Sequence, residues 1–100
     1  MEMTILDKIV ARKKQEVAVA AAKVSLAELT QYPHFTRACY SLKESIFHTA
    51  RTGIIAEYKR ASPSKGLING TSSVEEVVLG YQESGASAIS VLTDSDFFQG

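Results

Sequence analysis

The sequence predicts an α/β protein built on a parallel sheet, with helices ahead of the first strand. Three observations carry that expectation. Two apolar runs, Ile54-Ile55-Ala56-Glu57-Tyr58 and Ala88-Ile89-Ser90-Val91-Leu92-Thr93, have the length and the β-branched or aromatic content of strands. Between them Ser73-Val74-Glu75-Glu76 opens a helical pattern with Val74, Val77, Val78 and Tyr81 as its inner stripe, and Gly85 is placed to end it. Strand, helix, strand in this order is a βαβ unit, and such units make parallel sheets. Before the first strand, Leu6, Ile9, Val10, Val17, Ala20, Ala21 and Val24 recur at helical spacing instead.

Each helix start carries its own signal. Thr4-Ile5-Leu6-Asp7 reads as a capping box, and Ser25-Leu26-Ala27-Glu28 and Ser41-Leu42-Lys43-Glu44 repeat it. The pattern predicts a short helix to Gln31, a break at Tyr32-Pro33, and a further helix from about Ser41 to Ala50. Arg12, Lys13 and Lys14 interrupt the first apolar stripe; with Glu16 beside them they read as a solvated face. About a dozen residues without periodicity follow Lys59, longer than the ~2–6 residues usual for a strand-to-helix loop, which marks that loop as functional. Asp94 to Gly100 reads as a loop, with Asp94 and Asp96 in turn and cap roles.

Composition narrows the function. Of 100 residues, 45% are hydrophobic and 22% charged, the make-up of one small globular domain. Eleven basic and eleven acidic side chains cancel, so no global field recruits nucleic acid or a membrane. Cys39 is the sole cysteine, so no internal disulfide forms, a reducing cytoplasmic setting fits, and a small core thiol is expected. No apolar run approaches the ~18–20 residues of a membrane span, and Met1-Glu2-Met3-Thr4 does not open a secretory signal. His34 and His48 lack partners at metal-ligand spacing; His48 is expected to pair with Glu44 one helical turn away.

The candidate chemistry gathers at the end of the first strand. Strand side chains alternate, so Glu57 and Lys59 share a face with Ile55, while Ile54, Ala56 and Tyr58 take the other. Apolar residues on both faces suit a strand covered on both sides. Two charges on one such face are either an ion pair, costly to desolvate, or working groups at the carboxyl end of a strand. A lysine there binds an anionic group; a glutamate transfers a proton or orients the lysine. Ser62, Ser64, Lys65 and Gly66 supply an anion-contacting loop without the P-loop spacing. Phe97 and Phe98 are either an apolar wall at the same end or a packed anchor.

The block Glu57-x-Lys59-x-x-Ser62-Pro63-Ser64, followed by Gly85-Ala86 and by Ser90-Val91-Leu92-Thr93-Asp94 with Phe98 and Gly100, closely resembles the indole-3-glycerol phosphate synthase family. The resemblance covers the whole chain. It implies a (β/α)₈ TIM barrel with an N-terminal helical extension, of which residues 1–52 would be the extension and residues 53–100 the first β/α unit and the second strand. It implies ring closure of 1-(2-carboxyphenylamino)-1-deoxyribulose 5-phosphate with loss of carbon dioxide and water, in tryptophan biosynthesis, with no cofactor and no metal. By position, Lys59 resembles the lysine that holds the substrate carboxylate and Glu57 the catalytic glutamate beside it. Ser62 and Pro63 match substrate-contacting loop residues, and Phe98 an aromatic of the anthranilate pocket. The family's general acid lies on its third strand, the partner glutamate on its fourth, and the phosphate grip on its seventh and eighth. The expectation is therefore a segment inactive by itself, from an enzyme that acts on a small anionic substrate and stands in contact with, or fused to, other tryptophan-pathway enzymes. Two other readings of the same residues are a phosphate-binding barrel such as a phosphoribosylanthranilate isomerase, and a non-catalytic module binding an anionic partner through Arg12-Lys13-Lys14 and Lys65.

Overall fold

The computed structural model describes residues 2–100, in two compact units that divide between Cys39 and Tyr40. The first unit is helical. Helix α1 (Ile5–Lys23) starts at a reciprocal cap: the Asp7 N–H donates to Thr4 Oγ1 at 3.1 Å and the Thr4 N–H donates to Asp7 Oδ2 at 2.9 Å. The Thr4 backbone N–H, and then its side chain, hold the Asp7 carboxyl below its ordinary pKa, because both bonds favour the ionised form. One turn, α2 (Leu26–Leu29), follows behind the Ser25 cap and is carried on by the Gln31 N–H donating to the Glu28 carbonyl. Neither helix has a buried residue. Lys13 meets Glu16 at 2.6 Å, so the basic turn is a paired, solvated face.

The second unit holds the sheet. Helix α3 (Leu42–Phe47) is capped by Ser41 and is shorter than the sequence predicts, because His48 turns extended. His48 does not pair with Glu44; its Nδ1 accepts the Ala50 N–H at 3.1 Å. Strands β1 (Ile55–Tyr58) and β4 (Ala88–Val91) pair in parallel, with Ile55 opposite Ala88, Ala56 opposite Ile89, Glu57 opposite Ser90 and Tyr58 opposite Val91. Helix α4 (Val74–Glu83) crosses over from one to the other and packs on both. Its stripe is as expected: Val74, Val77, Val78 and Tyr81 are half-buried while Glu75 and Glu76 are exposed.

Two short elements complete the unit. The stretch after Lys59 is a tight antiparallel hairpin of β2 (Ala61–Ser62) and β3 (Gly66–Leu67). Pro63 sits at the turn position its fixed φ favours, and Gly66 takes a φ of 64° after the turn. Helix α5 (Ser95–Phe98) stands where a loop is expected, and Asp94 Oδ2 caps it by accepting the Phe97 N–H at 3.0 Å. The cap role expected of Asp94 holds; the loop does not.

Burial is concentrated near the hairpin and the strand it leaves. Among the described residues, Tyr58 and Ala61 are the buried apolar ones, with Ser62 and Ser87 the buried polar ones. The Ala56–Tyr58 face of β1 is covered, and the Tyr58 hydroxyl reaches the Ser72 carbonyl at 3.4 Å. The opposite face is not covered as the alternation predicts. Ile55 is 51% exposed and Glu57 is exposed, although α4 packs on both strands and α3 also meets β4. Cys39 also departs from expectation: it is exposed, with Sγ 3.8 Å from the Arg37 carbonyl. Among the described residues no helix is long and apolar enough to cross a membrane.

Candidate active site

Parallel strands present one set of chain ends at each edge, and loops leaving the carboxyl edge can converge there. Here β1 delivers Glu57 and then Lys59, one residue past the strand, while β4 delivers Ser90 and then the Asp94-capped helix α5. The two exits meet. Helix α5 packs against β2, which brings the hairpin carrying Ser62 and Pro63 together with the helix carrying Phe98. Arg60 ties the same junction, with Nη1 3.4 Å from the Gln99 carbonyl. Its own carbonyl accepts the N–H groups of Ile68 at 2.8 Å and Asn69 at 3.1 Å, closing the base of the hairpin.

Each expected residue has a definite setting. Ser62 is 7% exposed, and its Oγ accepts the Lys65 N–H at 3.2 Å, so its hydroxyl shapes the turn. A contact between Ser62 Oγ and Ser64 Oγ at 3.4 Å joins the two serines of the motif. Pro63, Ser64 and Lys65 form the exposed tip. Phe98 is half-buried at the end of α5, where Gln99 turns left-handed at a φ of 52°. Lys59 is exposed.

Among the described residues, no ion pair joins Glu57 to Lys59. The partner of Glu57 is Ser90, whose Oγ–H donates to Glu57 Oε1 at 2.9 Å across the parallel register. Alternation places Glu57 on one face of β1, but only the register between strands reveals that Ser90 stands beside it. Tyr81 of α4 adds a second anchor, its hydroxyl donating to the Glu57 carbonyl at 3.3 Å. The carboxylate and the ammonium thus stand apart where the chain leaves β1, with Arg60 directed to the Gln99 carbonyl and Lys65 at the exposed hairpin tip. Such an edge suits an anion that carries a proton-transfer site.

A family model for indole-3-glycerol phosphate synthase matches residues 6–100. The chain belongs to the indole-3-glycerol phosphate synthase family. Members of the family are decarboxylating lyases of tryptophan biosynthesis with a TIM-barrel fold. The mixed helix-and-strand unit of Tyr40–Gly100, with two parallel strands joined through α4, is in keeping with that architecture. In a TIM barrel the catalytic face is the one at the carboxyl ends of the strands. In this synthase-family chain the carboxyl ends of β1 and β4 lead to Glu57, Lys59, the Ser62 hairpin and the helix carrying Phe98.

Proposed function

We propose that this protein supplies one wall of an indole-3-glycerol phosphate synthase active site, closing the indole ring of 1-(2-carboxyphenylamino)-1-deoxyribulose 5-phosphate with loss of carbon dioxide and water. The observation that carries the reading is the convergence of Glu57, Lys59, the Ser62–Pro63 hairpin and α5 at the carboxyl edge of a parallel pair, within a chain matched by the family model. Residues 1–52 act as the helical extension and residues 53–100 as the opening of the barrel. The contacts of α3 with β4 tie the end of the extension to the sheet.

In this reading a general acid protonates the substrate ketone while the aromatic ring attacks it. Decarboxylation restores the aromatic ring, and an acid/base pair then removes the hydroxyl as water. Lys59 holds the substrate carboxylate as an exposed point charge. Glu57 acts beside it in proton transfer, and Phe98 packs on the anthranilate ring. Ser62 and Pro63 contact the substrate through the backbone shape they impose on the hairpin. The general acid and the phosphate grip come from other strands of the barrel, so catalysis requires more than the two parallel strands present in these residues.

The test is turnover by the complete barrel with Lys59 intact and with Lys59→Ala. We expect kcat/KM to fall roughly a hundredfold or more in the variant, with an unchanged thermal midpoint, because Lys59 is exposed and unburied charge contributes little to stability. Wild-type turnover in Lys59→Ala would remove Lys59 from the site. Turnover by these 100 residues alone would show that the other strands are dispensable.

A further inference from the structure

We propose that Ser90 is a positioning residue that holds the Glu57 carboxylate in both of its protonation states, an inference that rests on the synthase reading above for its catalytic consequence. Three observations lead there. Ser90 Oγ is 2.9 Å from Glu57 Oε1, and the two residues are direct partners in the parallel register. Ser90 is also the one polar side chain in β4, between Ile89 and Val91, at a position where β-branched residues would serve a strand better. Finally, among the described residues no other hydrogen bond or ion pair reaches the Glu57 carboxylate.

A hydroxyl differs from an ammonium in what it does when the carboxylate changes charge. It donates to Oε1 of the ionised carboxylate and goes on donating to that oxygen when the acid carries its proton on Oε2, which leaves Oε1 an acceptor. The proton passes only between Glu57 and the substrate; Ser90 keeps its own hydrogen throughout. A lysine in the same place would hold the ionised form alone and would cancel its charge. The short serine side chain, fixed to a strand that is itself locked in register, has little freedom to lose. Oε1 is therefore tethered from the neighbouring strand, while Oε2 stays open for the substrate.

Two readouts test this in the complete enzyme, using Ser90→Ala and Ser90→Thr. The first is the side-chain carboxyl carbon resonance of Glu57, expected to move in Ser90→Ala and to return in Ser90→Thr, which restores the hydroxyl. The second is turnover, where Ser90→Ala is expected to lower kcat roughly tenfold with KM and the thermal midpoint unchanged, and Ser90→Thr to recover it. A resonance that stays in place in Ser90→Ala overturns the proposal whether or not the enzyme turns substrate over. Undiminished kcat in Ser90→Ala, or a Ser90→Thr as slow as Ser90→Ala, overturns it as well. Absent turnover in the unaltered complete enzyme counts against the synthase reading alone, and the resonance still decides whether Ser90 holds Glu57.

Discussion

The two ends of the parallel pair are built from different chemistry. At the amino end the polar groups are spent on backbone, and the one charge there, on Arg51, is spent likewise, with Nη1 donating to the Ala86 carbonyl at 3.4 Å. Ser87, 8% exposed, accepts the Gly53 N–H on its Oγ at 2.8 Å, donates its own N–H to the Ile54 carbonyl at 2.9 Å, and takes the Ser45 hydroxyl on its carbonyl. Thr52 closes the same end twice, through its N–H and its hydroxyl, onto the Gly85 carbonyl at 3.1 and 2.9 Å. At the carboxyl end, Glu57 and Lys59 are exposed charges, and the carboxylate is met by one hydroxyl. The amino end satisfies its own groups, whereas the carboxyl end leaves charge available. Satisfied and available polar groups are thus separated along the length of a strand, the direction along which a barrel divides its stabilising face from its catalytic one.

The largest effect expected from breaking that division is at the working end. Glu57→Gln keeps an oxygen for the Ser90 hydroxyl but removes the carboxylate's charge and its ability to move a proton. In the complete enzyme kcat should fall roughly a hundredfold or more, with an unchanged thermal midpoint. A shifted midpoint with intact kcat would place Glu57 on the structural side of the comparison.

The converse changes belong to the amino end. Gly85 ends α4 at a φ of 91°, and a Cβ there would stand 3.2 Å from Thr52 Cγ2. Gly85→Ala should therefore cost about 1–2 kcal/mol in denaturant unfolding, with kcat retained. Ser87→Ala removes the acceptor of the Gly53 N–H but not the backbone bonds, and should cost about 1 kcal/mol by the same measurement. A loss of kcat in either variant at a temperature where it is fully folded would mean that the two ends are coupled.

What the sequence disclosed follows how local each cause is. The caps at Thr4, Ser25, Ser41 and Ser73 are legible because donor and acceptor lie within one turn. The strands and the α4 stripe are legible because periodicity records which side is covered. The hairpin at Ala61–Leu67 is not, since two-residue strands carry no period, although Pro63 and Gly66 are its turn residues. Helix α5 is only one turn long, and Asp94 alone announces it. His48 and Cys39 lie where residue type does not predict: His48 turns extended and its Nδ1 accepts the Ala50 N–H, and Cys39 is exposed. At the site, the motif names Glu57, Lys59, Ser62, Pro63 and Phe98, but the Ser90 hydrogen bond and the packing of α5 on β2 depend on register and tertiary contact. The serine latch at Ser87 is hidden for the same reason: Ser45, Gly53 and Ser87 are distant in sequence.

The smallest expected effect lies outside both ends and serves as their control. Asp7 is held below its ordinary pKa by the Thr4 N–H and then by the Thr4 side chain. A carboxyl lowered in the folded state contributes stability that is fully present above its unfolded pKa and is lost as pH falls through the folded value. Acidification should therefore fray the start of α1 first, seen as loss of amide protection at Thr4 and Asp7. In Asp7→Asn, whose amide does not ionise, that step should disappear. Because the group is on the surface of α1 and its partners are both at Thr4, the amide signals of Gly53 and Ser90 should not follow the same titration. Were they to shift with Asp7, the helical unit would be linked to the strand pair, and the division between the two ends would no longer be a property of the sheet alone.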